Sequence, residues 1–260
     1  MTSFATDGFL SSEITEFEKL IRNNYSAKIE LAYDVNRISH ELIYSIEIHN
    51  EHLPDLLMST LLTRQATTFQ AFIILISKGM VTQAEIILRN IAETMFIVGA
   101  IGKDETFADN YVLSEEISRK KALVRLKNIN ERNGKKVDQE TLNLIADLEK
   151  RIKTEKINKF STENIAKIAG LSDYYDSLYP LISMAVHTST RGLDKLLQIN
   201  DKGDVHGIEY GPVVDRLDIH LDYAISIMLY TLHELAIHFN KDVKHIEELQ
   251  QKNHEAAESV

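Results

Sequence analysis

Apolar residues recur along most of this chain at steps of three and four, the spacing that gathers them on one side of an α-helix. Phe17, Leu20 and Ile21 open the pattern, in a helix that Ser11 or Ser12 can cap and that runs to about Asn23. Leu31, Val35, Ile38, Leu42 and Ile46 share one face of a second helix, from about Ala27 to His49. Pro54 stands at the start of a third, where its missing N–H is no loss, and Gly79 closes that helix after Lys78. Helices two and three therefore predict an antiparallel hairpin. Thr82 and Glu85 form a capping-box pattern for a fourth helix that stops near Gly102. Its residues Ile86, Ile87, Ile91, Met95, Phe96 and Val98 make it apolar nearly all round, which predicts a central position.

The next stretch is of another character. One helix is expected from about Asp104 to just before Gly134, and another from Asp138 to about Lys156. Charges alternate so densely between Lys120 and Lys159 that this pair reads as a solvated hairpin projecting from the body. Short helices are expected from Ser161 and Thr162 to Gly170, over Asp173–Leu178, and from Pro180 onward. Glycines at 203, 207 and 211 mark a non-helical region, with a small β-hairpin pairing Leu196–Ile199 with Val205–Tyr210. A last long helix spans about Val213 to Asn240, and the polar tail from Lys241 is expected to fray. The fold class is all-α: one bundle of about seven to nine helices over residues 1–240, with the hairpin of 104–156 and the tail of 241–260 appended. Its core is expected on helices two, three, four and the last.

Composition narrows the function. Only 3 Pro and 10 Gly occur, too few turn formers for a many-stranded barrel or sandwich. Lys and Arg total 29 against 39 Asp and Glu, and a net charge of -10 repels phosphate backbones except at a local basic site. The absence of Cys excludes disulfides, zinc-thiolate sites and thiol nucleophiles, and it fits a cytoplasmic protein. The first residues carry no basic segment followed by an apolar run, so no signal peptide is expected. The most apolar runs, Ala71–Ile76, Thr94–Ile101 and Tyr223–Leu232, fall short of the roughly 18 residues a membrane span needs. No membrane partner is expected.

Three groups of residues offer chemistry. Arg89 and Glu93, four apart, share one face of an otherwise apolar helix, so both charges are expected to be partly buried. The same spacing also serves a purely structural ion pair. His187-Thr-Ser-Thr-Arg191 places an acid/base, a cation and three hydroxyls, Ser189 among them, at the end of a short apolar helix. A core histidine with capping hydroxyls is the structural alternative. The third group is His220, His233 and His238 with Asp218, Asp222 and Glu234; His49 and His52, three apart, are a separate pair of the same kind at a helix end. His233 and His238 are five apart, one too many for the zinc-protease helix, and no Glu-x-x-His pairs of a di-iron bundle occur. Neither a metal nor another cofactor is expected on these spacings. Phosphate loops, dinucleotide fingerprints and nucleophile elbows are absent from the sequence.

Leu88-Arg89-Asn90 with Glu93, a later helix with Arg119 and Lys120, and the His187-x-Ser189 turn before a glycine-bearing loop together resemble a bacterial all-helical family of unknown function. The resemblance covers roughly Leu57–Phe239 and implies a distant likeness to the HEPN helical bundles. Many HEPN proteins are dimeric, metal-independent ribonucleases of toxin and anti-phage systems. Their signature places His four to six residues after Arg. Here Arg216 and His220 are separated by three residues, and Arg37 and His40 by two, so that dyad does not carry over. The likeness implies instead a site assembled from separate helices. His187 would be the acid/base, Arg89 and Arg191 would hold phosphate, and Glu93 would orient one of them. Ser189, Arg119 and Lys120 would extend the substrate contacts. The expected partners are a second copy of the chain and RNA bound through the local basic stretch. The alternative is a non-enzymatic module that docks a partner protein through the charged hairpin.

Overall fold

The computed structural model of the chain describes residues 3–186 and 193–258. Twelve α-helices occur among them. They are α1 (Phe4–Asp7), α2 (Ile14–Asn24), α3 (Ser26–Ser45), α4 (Leu53–Ser77), α5 (Val81–Lys103) and α6 (Thr106–Arg132), then α7 (Gln139–Thr154), α8 (Thr162–Ile168), α9 (Ser172–Ser177), α10 (Tyr179–Val186), α11 (Leu217–His238) and α12 (Lys244–Glu258). Strands β1 (Leu197–Ile199) and β2 (Val205–Ile208) pair antiparallel, with Leu197 opposite Ile208 and Ile199 opposite Val205. The architecture is all-α with one small hairpin, as the residue pattern predicts.

The core lies where α3, α4, α5 and α11 meet. Val35, Met58, Phe69, Phe72, Leu88, Ile91, Met95, Ile225 and Met228 are fully buried there in one apolar cluster. Burying such side chains stabilises by about 1.5–3 kcal/mol each before entropy is subtracted. Helix α5 is central: α4, α11, α10 and α8 all pack on it. Close approach needs small residues, and Gly99 supplies one; a Cβ there would lie 3.1 Å from the Ala169 methyl and 3.2 Å from the Tyr230 hydroxyl. One polar group ties the middle. The buried Gln65 Nε2 on α4 donates to the Ile91 carbonyl of α5 (3.1 Å) and to Thr231 Oγ1 of α11 (3.4 Å). A Lys28–Asp222 ion pair fastens α3 to α11.

Several ends differ from expectation, each for a local reason. The Thr82–Glu85 capping box does not form. Helix α4 ends in a Schellman turn, with Met80 N–H on the Leu75 carbonyl and Gly79 N–H on that of Ile76, and α5 starts at once at Val81. Thr82 is thereby inside the helix. Helix α11 begins at Leu217 rather than Val213, because Val213 N–H donates to the Gly79 carbonyl and holds that segment outside the helix. The polar tail expected to fray from Lys241 is instead α12 over most of its length. Asp242 caps it through Lys244 N–H, Ile246 and Leu249 bury a narrow stripe, and Asn253 Nδ2 donates to Ser226 Oγ of α11. Helices α6 and α7 pack on each other, with Asp138 capping α7 through Thr141 N–H at 2.7 Å. Among the described residues no helix is long and apolar enough to cross a membrane.

Candidate functional site

Arg89 and Glu93 meet on the outer face of α5, with Arg89 Nε donating to Glu93 Oε1 at 2.9 Å. The same carboxylate oxygen accepts from the Tyr179 hydroxyl of α10 at 2.7 Å. The Arg89 guanidinium lies over the Tyr179 ring, 5.2 Å from its centroid. The short helices set this up by running back along α5. Ala169 faces Gly99, the Tyr175 ring packs on Phe96, and Tyr179 reaches Glu93. Each step moves toward the start of α5. Next to this group, Arg64 Nη2 of α4 approaches Asn90 Oδ1 at 3.4 Å. Burial, and next the charge of Glu115, raises the Tyr111 phenol of α6.

The electrostatics favour a fixed cation. Burial works against the Arg89 charge, but Glu93 and Tyr179 together outweigh it and raise the guanidinium above its ordinary value. Burial, followed by the bond to Glu93, raises the Tyr179 phenol, so it stays a neutral donor. Arg89 Nη1 is buried and has no hydrogen-bond partner among the described residues. Side chains at 22% and 34% exposure leave Arg89 and Glu93 reachable from solvent. The guanidinium is held rigidly between Glu93 and Tyr179 with part of its surface in reach of solvent, while its one uncommitted donor, Nη1, is itself buried.

The other expected site residues fall differently. His187, Ser189 and Arg191 lie outside the described residues. Arg119 and Lys120 are on α6, roughly 12 Å along the helix from Tyr111. Lys120 Nζ is 3.1 Å from Glu149 Oε1 of α7, and Arg119 Nη1 is 4.0 Å from Glu116 Oε2. The structure thus joins Arg89 with Glu93 and pairs Arg119 and Lys120 with carboxylates elsewhere. Tyr179 and Arg64 were missing from the sequence reading. Nothing in spacing links residue 179 to residue 93. The one available signal is that Tyr179 directly precedes Pro180, where a helix is expected to begin.

A second polar group gathers at the far end of α5. Asp55, in the first turn of α4 and largely buried, is surrounded by three imidazoles. His49 Nδ1 lies 2.6 Å from Asp55 Oδ2, while His52 Nδ1 and His238 Nε2 lie 2.7 and 2.9 Å from Oδ1. Burial alone would raise the Asp55 carboxyl; the bonds from His52, His49 and His238 hold it well below the ordinary carboxylate range. The bond to Asp55 raises the His52 ring above its usual value. Histidines 233 and 238, whose spacing already argued against a zinc-protease helix, turn to different partners. His233 faces Glu247 of α12 at 3.9 Å, and Glu234 lies beside Gly102. His220 pairs with Glu85 at 3.1 Å. Asp55 escaped the sequence reading because it looked like an ordinary acidic residue in a first helical turn.

No curated protein and no solved structure matches the chain. A family model does match, over residues 55–204, more than half of the chain's 260 residues. The matched span begins at Asp55 and includes Arg89, Glu93 and Tyr179, and the chain accordingly belongs to the family of unknown function DUF5677.

Proposed function

We propose that this protein is a HEPN-like helical effector that cleaves RNA without a metal ion, of the kind used in bacterial toxin or anti-phage systems and acting in the cytoplasm as a homodimer. The observation that carries the reading is the Arg89 guanidinium, a partly exposed cation clamped by Glu93 and Tyr179. His187 follows directly on α10, the helix that delivers Tyr179 to that clamp. In the proposed reaction His187 takes the proton of a ribose 2′-hydroxyl, and the freed oxygen attacks the adjacent phosphorus. The P–O5′ bond breaks, the departing oxygen receives the proton from His187, and a 2′,3′-cyclic phosphate and a 5′-hydroxyl remain. Arg89 stabilises the charge on the non-bridging oxygens, and Arg191 and Ser189 add phosphate contacts. Arg119 and Lys120 would guide the strand only by exchanging their carboxylate partners for phosphates.

The test is incubation of the tag-free protein with total bacterial RNA in chelator. The wild type should leave cyclic-phosphate ends. His187→Ala should abolish cleavage with the helical circular dichroism intact, and Arg89→Ala should slow it by about 100-fold or more. Intact RNA with the wild type, or equal cleavage by His187→Ala, refutes the proposal. One observation favours the other reading, a docking module: Leu126 and Ile129 on α6 stand half exposed beside Lys127, which is already paired with Glu131. A partner protein, rather than RNA, would cover such a face.

A further inference from the structure

The group around Asp55 is built from four separate parts of the chain. Asp55 opens α4, His49 and His52 come from the loop before it, His238 is the last residue of α11, and Glu105 stands between α5 and α6. A single carboxylate needs one cationic partner, and here three imidazoles converge on it. The arrangement of the two inner rings explains the crowding. His52 and His238 lie parallel, 9° apart with centroids at 6.3 Å. Each turns one nitrogen to Asp55 Oδ1, at 2.7 and 2.9 Å. Each turns its other nitrogen to Glu105: His52 Nε2 is 3.7 Å from Oε2, and His238 Nδ1 is 3.9 Å from Oε1. Both imidazoles therefore stand between an inner carboxylate, at hydrogen-bond distance, and an outer one, at ion-pair distance, as metal-bound histidines commonly do.

We propose that His52, Asp55 and His238 bind one divalent transition-metal ion of the Zn²⁺ class, with Glu105 as the outer carboxylate. The three ligand atoms lie within 4.8 Å of one another. Around an ion with bonds of about 2.0–2.2 Å they would stand roughly 3.3–3.5 Å apart, so the two imidazole nitrogens would draw back from Asp55 Oδ1, now at 2.7 and 2.9 Å, as the ion takes the place of those hydrogen bonds. Side chains of Asp55 and His238 are only 8% and 6% exposed, so the inner ligands are held by packing. His49 at Oδ2 keeps the carboxylate in orientation. Two imidazole nitrogens and one oxygen suit a borderline ion and disfavour Mg²⁺ or Ca²⁺. Three protein ligands leave a fourth position, and it faces a cleft of about 520 Å³ that Glu47, Asn240 and Lys241 also line. Arg89 is roughly 20 Å away along α5, so this site stands apart from the proposed RNA site.

Zinc titration of the tag-free, chelator-dialysed full chain by calorimetry tests the site, with thermal melts alongside. The wild type should bind one equivalent of Zn²⁺ and melt at a higher temperature when loaded. His52→Ala and His238→Ala should each weaken binding by about 10-fold or more, and Glu105→Gln by about 10-fold, while His220→Ala leaves it unchanged. If Asp55→Asn does not fold, His52→Ala still decides the matter, because His52 is a half-exposed loop residue. No saturable binding, or binding that survives His52→Ala, overturns the proposal and leaves an ion-pair cluster. The RNA assay is run in chelator, so its outcome is independent of this one.

Discussion

The hydroxyl of Tyr230 on α11 sits where a Cβ on Gly99 of α5 would almost touch it, so the phenol closes a tight crossing of the two helices. Burial, and next the charges of Glu234 and Tyr174, push this phenol up to about 12 from its ordinary 10.0. A folded-state value above the unfolded one keeps its full contribution below pH 10. That contribution is lost as pH rises toward 12, because the unfolded chain ionises first. Denaturant midpoints should therefore fall between about pH 10 and 12, and Tyr230→Phe should remove part of the slope. An unchanged slope would show that the phenol titrates as if exposed. Other residues differ in how far they could be read in advance. Arg89 and Glu93 were legible as a pair because helical spacing alone fixes them on one face. Tyr179, Arg64 and Asp55 were not, since their roles come from contacts between helices that share no sequence register.

Helix boundaries depend on turns, and the α4–α5 turn is the tightest constraint. Gly79 adopts a φ of 71°. A Cβ there would lie 2.7 and 2.8 Å from the Val213 carbonyl oxygen and amide nitrogen. Gly134, ending α6, has φ 67° but nothing within 4 Å of its Cβ position. Gly134→Ala should thus lose only the left-handed penalty, about 1 kcal/mol, whereas Gly79→Ala should lose at least about 2 kcal/mol. Thermal melts of the two variants check this, and equal losses would remove the Val213 contact from the account. The element pattern was mostly legible: α4, α7 and α8 start at or within a residue or two of the expected Pro54, Asp138 and Thr162. The errors gather where long-range backbone bonds intervene. Val213 is claimed by Gly79, and α12 is made helical by packing that its mean polarity concealed.

At the scale of the molecule, α3 and α11 complete a core that α4 and α5 only begin. The family-matched span of residues 55–204 omits both. A fragment of that span should show no cooperative thermal transition and should expose the faces that Leu221, Ile225, Met228 and Leu232 cover in the full chain. A sharp transition in the fragment would mean that the outer helices are dispensable. The position of the core was legible, because the apolar breadth of α5 and α11 demanded neighbours on several sides. The site was legible only in half, because its remaining parts come from loops and short helices. The central place of α11 also bears on how the protein is made. A ribosome finishes α5 more than a hundred residues before it completes α11. At ordinary synthesis rates that interval is on the order of ten seconds, during which the face of α5 that α11 covers in the full chain stays open. A message truncated before residue 217 would leave that face open for good, and its product should aggregate or be degraded instead of accumulating.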